Sequence, residues 1–410
     1  MEEIQQMLNE ALDKILQYLL EKRLAEKFKA AGIKATDSEI EAAAVHVLNG
    51  ESTTVGDAGD GMTIEITADD IKYIESEIER LDDEHVGAIL NNLADRVSAT
   101  YYEALSERWS EEFQAQQAES EGFKQRLEVR WGKALGKLRM LLTLIREWAQ
   151  EAADRQHKTK DTNNKRLKDV MLRLHVRACQ VTNEIIVLLE NGFADGALAR
   201  WRTLHEITIV AAVIAKFGEE IAERYVHYQI VESFAALKAY ERAYKGLGYK
   251  APSKRTSEKV RKDYDKVVKR FGKEFGEQYG WAAHHLEKVR PTFADLEKEA
   301  GEEVMRSPYK MASYNVHASP KGIYFKIGGI GESEVYLAGA SNAGLTDPAQ
   351  HAAMSLVEIT SLTIGDSLVF DDLVIAGVIA RLRDEIPKEF WRAERQLRKE
   401  HSRRVGRKAR

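Results

Sequence analysis

Cysteine is nearly absent from this chain: Cys179 stands alone among 410 residues. A single thiol excludes a disulfide framework and any Cys-rich zinc or iron–sulfur site, and it fits a reducing compartment. Proline is scarce and lopsided. All six prolines (Pro252, Pro291, Pro308, Pro320, Pro348 and Pro387) come after residue 251. The long stretch before them lacks the strongest helix breaker and is rich in Ala, Glu, Leu, Lys and Arg. That predicts long helices and argues against a β-sandwich or barrel. Long hydrophobic runs are missing too. The longest, Ile207 to Ala215, reads ITIVAAVIA and is far short of the ~20 residues of a membrane span. The start, MEEIQQMLNEALDKILQYLLEKRL, is amphipathic, with no basic leader and no cleavage site. A cytoplasmic location without membrane contact is therefore expected. Neither sign of charge dominates, since 61 Lys+Arg and 66 Asp+Glu leave a formal net charge of −5. Nucleic-acid contact would have to be local.

What is present is the composition of a globular protein, 44% hydrophobic and 31% charged, enough apolar surface for a sizeable core. The expected fold is mainly α. It comprises an N-terminal helical domain over 1–105 and a helical-bundle core over 106–372. A C-terminal helix and basic tail cover 373–410. Residues 49–61, NGESTTVGDAGDG, read as an exposed loop, and Met62 to Ile66 as a short strand. Trp109, Trp131 and Trp148 fall at helical spacings and are expected as core anchors. Ile323 to Ile327 and Val335 to Leu337 are β-like runs around Gly328-Gly329-Ile330-Gly331, which predicts a small hairpin at about 323–337. Ser307-Pro308 and Asp347-Pro348 read as helix starts, and Pro320 as the stop of the helix before it.

Two segments carry candidate chemistry. In ALARWRTLHEITIVAAVIAKF, Arg202, His205 and Glu206 lie within about 100° of one another, and Ile209 and Val213 continue the stripe toward the core. Charge on a core-facing stripe is costly unless paired or used. It reads either as a structural ion pair with His205 as partner, or as the wall of a site. In RSPYKMASYNVHASPKG, Tyr309, Ser313 and His317 recur at i, i+4 and i+8, a ladder of phenol, hydroxyl and imidazole. His317 ends that helix and could act as a general acid/base or as a C-terminal cap. Arg224, Tyr225 and His227 read mainly as surface residues, with a cavity face as the other option. His284-His285 diverge on a helix, and His351 with Glu358 lacks a third ligand. Cys179 is expected in the core, on the face of Leu172, Val176 and Ile186. There is no Walker A, GxSxG or HExxH pattern, and GGIG lacks a nucleotide-loop context. No metal or cofactor is expected. The end of the chain, from Arg392, holds nine Lys/Arg against two Glu. It is either a solvated tail or a phosphate-contacting one through Arg403, Arg404, Arg407, Lys408 and Arg410.

LENGFADGALARWRTLHE, the downstream YGWAA and the ASYNVHAS segment closely resemble an uncharacterised bacterial helical family, domain of unknown function 5677, over about residues 110–365. The resemblance implies an α-helical fold and no established activity. Its pattern falls on Arg202 and Glu206 of one helix and on Ser313 and His317 of another. A looser resemblance is to the HEPN ribonucleases, marked by Arg, four to six residues, then His; Arg200 and His205 have that spacing, although about 140° apart on one helix. Arg202 with His317 would be the better pair, His as acid/base on a ribose hydroxyl and Arg on the phosphorane charge. The leading expectation is a bacterial defence or toxin-like effector that cleaves RNA without metal. Arg202, Glu206 and His317 would carry the reaction, with Tyr309 and Ser313 orienting and His205 beside them. RNA would meet the core cleft and the tail. The alternative is a non-catalytic sensor or scaffold whose helical core binds a ligand or partner protein. A homo-oligomer is compatible with either.

Overall fold

The computed structural model describes residues 2–49, 53–55, 62–64, 66–78, 83–158, 163–329, 338–364 and 369–408. The chain divides into two compact units, Met1–Glu119 and Ser120–Arg410.

In the first unit, α1 (Glu2–Ala30) and α2 (Asp37–Leu48) pack through Leu20, Leu24, Phe28, Ala43 and Ala44. The cap of α2 is Thr36. Its hydroxyl accepts from the Glu39 N–H while the Glu39 carboxylate accepts from the Thr36 N–H, a capping box. A short ladder pairs β1 (Thr53–Val55) antiparallel with β2 (Met62–Ile64). On α3 (Ala68–Ile78), Asp70 is buried yet takes hydrogen bonds from Arg23, Lys27 and the Thr67 N–H. Burial alone would raise its carboxyl; these donors hold it far below the usual carboxylate range.

Helix α4 (Asp83–Lys158) is one uninterrupted helix, with no break at Glu121-Gly122. Trp131 and Trp148 are core residues, as expected, but Trp109 is 50% exposed, its ring beside that of Phe113. The second unit packs α5 (Lys165–Glu190), α6 (Ala194–Phe217) and α13 (Thr346–Ile364) side by side. Fully buried Trp201, Ile185 and Leu356 lie in their shared core. Helix α14 (Phe370–Lys408) runs straight through Pro387, so the basic end continues a helix rather than forming a separate tail. Its start is held by buried Asp372, which accepts from Trp148 Nε1 and Arg155 at 2.6 and 2.7 Å. Helices α7 (Glu219–Ala243), α10 (Phe293–Ala300) and α11 (Arg306–Val316) also pack on α6, while α8 (Lys254–Phe271) and the short α9 (Gly280–Ala283) pack on α7 and α12 (Pro320–Tyr324) on α11.

The hairpin expected at 323–337 is overturned. Ile323 and Tyr324 close α12, which Ser319 caps and Pro320 begins. The backbone that follows turns back instead of pairing: the Ile327 and Gly328 N–H groups donate to the Asp195 carboxylate, and Ser341 donates to the Gly328 carbonyl. With these groups committed to α6 and to the 341 turn, no ladder forms over 325–329. Val335 to Leu337 lie outside the described residues. The protein is thus a helical bundle without the expected C-terminal hairpin.

Candidate functional site

The polar stripe of α6 folds into two linked groups. In the first, the Tyr309 hydroxyl donates to Glu206 Oε1 at 2.6 Å and accepts from Arg202 Nε at 3.0 Å. Arg202 also pairs with Glu206 at 3.1 Å and lies over the Tyr309 ring. Burial, reinforced by the Glu206 carboxylate, pushes the phenol well above its usual range. In the second group, His205 Nε2 lies 3.2 Å from Glu297, and Arg306 donates to the same carboxylate at 2.5 Å. Both His205 (2% exposed) and Glu297 (1%) are sealed in. Burial pushes the His205 imidazole down, against the pull of Glu297. The Tyr309 and His205 rings touch, with Phe293 against both.

The remaining expected residues do not join them. Ser313 donates its hydroxyl to the Tyr309 carbonyl one turn back. His317 is exposed at the end of α11, where its N–H caps Ser313; eight residues beyond Tyr309, it stands about 12 Å further along the helix axis. No hydrogen bond or ion pair links it to Arg202. Arg200 turns the other way, onto Glu184 of α5. His351, far from pairing with Glu358, stacks on Trp201 at 4.6 Å. Among the described residues, no group of three or more His, Cys, Asp or Glu is placed to hold a metal ion.

Beside the Arg202 group opens a cleft of about 790 Å³ between α5, α6, α7 and the chain at 278–281. Val210, one turn beyond Glu206, forms part of its floor with Val170 and Leu174 of α5. Its walls are aromatic: Tyr225 meets Trp281 edge to face at 5.2 Å, with Tyr228 and Tyr279 completing the rim. Asp169, bound to Arg173, and Glu232 supply charge. Burial raises the Tyr279 phenol, and the Glu206 charge adds to it while Arg202 opposes; the Tyr279 ring lies 6.4 Å from that of Phe293, which packs on Tyr309.

Tyr279 stands at φ +53°, left-handed backbone that bulky residues seldom adopt. Such a conformation persists only where its surroundings over-determine it. Here α7 supplies the constraint from one face, four residues apart. Arg224, buried over the Phe271 and Phe275 rings, donates from Nε to the Trp281 carbonyl at 3.1 Å. Tyr228 donates its hydroxyl to the Glu277 carbonyl at 2.7 Å. Between them Gly280 sits so close to the chain before it that a Cβ would lie 2.4 Å from the Phe275 carbonyl oxygen. Only glycine fits there.

The sequence reading missed Tyr228, Tyr279 and Trp281. The signal was the YGWAA segment itself, a glycine between two large aromatics with no apolar period around it. Arg224, expected mainly at the surface, is buried as the anchor of that segment.

No curated protein and no solved structure matches the chain, and the looser likeness to HEPN ribonucleases finds no support. Residues 168–333, which carry the whole cleft and the Arg202–Glu206–Tyr309 group, match the model of a family of unknown function, DUF5677.

Proposed function

We propose that the helical core is a non-catalytic ligand-binding module, the sensing part of a sensor or scaffold protein. The observation that carries this reading is the aromatic cleft around Tyr279, held open by a strained backbone. Strain of this kind, maintained by dedicated hydrogen bonds, recurs at binding sites. The cleft's size lies within the range of small-molecule pockets, roughly 300–1,000 Å³. Its chemistry favours a small organic cation with a flat apolar body. Four aromatic side chains offer ring faces, and two carboxylates against one guanidinium leave the lining negative. The Arg202–Glu206–Tyr309 group then serves as the rigid support of Tyr279. Its charges are paired with one another, which suits a structural network better than an acid/base site.

Calorimetric titration of the full chain with benzyltrimethylammonium, with benzoate as the control anion, tests the reading. Binding of the cation, weakened at least tenfold by Tyr225→Ala, and no heat with benzoate are expected. No binding of the cation, or equal binding of benzoate, overturns it. RNA cleavage in the absence of metal, abolished by Arg202→Ala or His317→Ala, would replace it with the effector reading.

A further inference from the structure

A second cavity, of about 530 Å³, lies between the middle of α4 and the end of α14. The two helices bring three arginines to it, Arg126 and Arg130 from α4 and Arg404 from α14, against one carboxylate, Glu400. Arg130 Nη2 holds Glu400 Oε2 at 2.6 Å, and Gln396 holds the other carboxylate oxygen at 3.2 Å. The Nε and Nη1 atoms of Arg130 are buried without any hydrogen-bond partner. Leaving guanidinium donors unanswered is costly, and native structures seldom do so without a reason. Neither Arg126 nor Arg404 forms an ion pair among the described residues. The cavity therefore has more positive charge than its own carboxylate can answer.

Its remaining wall is of a different kind. Phe123 and Leu397 give it an apolar side. Phe123 is fixed in place, since its ring lies where a side chain on Gly192 would be. Asn342 accepts from Trp131 Nε1 at 2.6 Å through its side-chain oxygen. That bond fixes which end of the amide is used and leaves its NH₂ as a further donor beside the arginines.

We infer that this cavity is a binding site for a small phosphomonoester carrying a flat ring, the class of a nucleoside monophosphate. The phosphate dianion would sit among Arg126, Arg130 and Arg404, where planar guanidinium groups match its oxygens two at a time. The ring would lie against Phe123 and Leu397. The His401 imidazole also stands in the wall. This site is independent of the aromatic cleft, with which it shares no lining residue.

Calorimetry of the full chain at low salt with AMP, ribose 5-phosphate and adenosine tests it. AMP binds, ribose 5-phosphate binds at least fivefold more weakly, and adenosine does not bind. Arg126→Ala and Arg404→Ala, both at exposed residues outside the core, each weaken AMP at least fivefold without moving the melting temperature. Saturating benzyltrimethylammonium does not displace AMP. Adenosine binding as tightly as AMP, AMP binding unchanged in both variants, or no AMP binding at millimolar concentration would overturn the inference. So would a single-stranded RNA oligonucleotide that binds in clear preference to AMP.

Discussion

Tyr279 and Gly280 are two adjacent residues with opposite demands on the backbone. Tyr279 accepts a left-handed conformation that costs about 1–2 kcal/mol for a side chain of its kind. Gly280 accepts a close approach that no side chain could. Gly280→Ala should therefore destabilise the second unit by about 2–3 kcal/mol, because the obstacle is backbone and cannot move aside. A urea midpoint within error of wild type would contradict that. Buried titrating groups make a separate, pH-dependent contribution. Burial pushes the His175 and His351 imidazoles down from 6.5 to about 4. Both stay neutral when folded and gain protons when unfolded, so their contribution is complete above pH 6.5 and is lost as pH falls toward 4. The Thr360 hydroxyl donates to the Leu356 carbonyl and so accepts from His175 Nε2, which fixes the neutral tautomer. Glu358 works in the opposite sense. Burial, with Glu302 nearby, raises its carboxyl from 4.5 to about 7, so its contribution is complete below 4.5 and is lost as pH rises through 7. Between pH 4.5 and 6.5 these two histidines outweigh Glu358, and together the three groups raise stability by roughly 1.4 kcal/mol per pH unit. Urea unfolding at pH 5 and 6.3 measures this. The slope should fall in the His175→Gln/His351→Gln double variant, and an unchanged slope would remove these histidines from the account.

Helix α7 positions the cleft through a pair of side chains one turn apart, Arg224 and Tyr228, that hold carbonyls on either side of Tyr279. Tyr228→Phe removes one of these bonds and leaves the ring. It should cost about 1 kcal/mol of stability and weaken benzyltrimethylammonium several-fold by loosening the 277–281 segment. Full affinity in that variant would show that α7 does not hold the segment. Helix content is legible in the sequence because proline is absent from residues 1–251, where the 29-residue α1 and the 76-residue α4 lie, and α5, α6 and α13 begin and end close to their turn signals. The hairpin is not legible. Its β-like residues are real, but the partners for the Ile327 and Gly328 N–H groups come from Asp195, more than a hundred residues away. Pro387 is a further local signal that packing overrides: α14 continues through it, packed on α13 and on Trp131 through Phe390. Tertiary packing outweighs the local penalty there.

In the molecule as a whole, the α6 stripe is the part of the candidate site that periodicity reveals, since Arg202, His205 and Glu206 share a face before any partner is known. Their partners come from two other elements, Glu297 on α10 and Arg306 and Tyr309 on α11. Spacing along one helix cannot supply them. His317 shows the same limit from the other side, sharing a face with Tyr309 but standing two turns beyond it. Cys179 is buried as expected, yet beside His175, while Val176, assigned to its face, is exposed. The cleft itself depends on a backbone conformation at one tyrosine, which composition does not encode. The most direct test of the account is benzyltrimethylammonium affinity, measured side by side in wild type and Tyr279→Asn. Asparagine tolerates the left-handed backbone but removes the ring. The account predicts a melting temperature close to wild type and loss of measurable binding; equal affinity in the two proteins would contradict it.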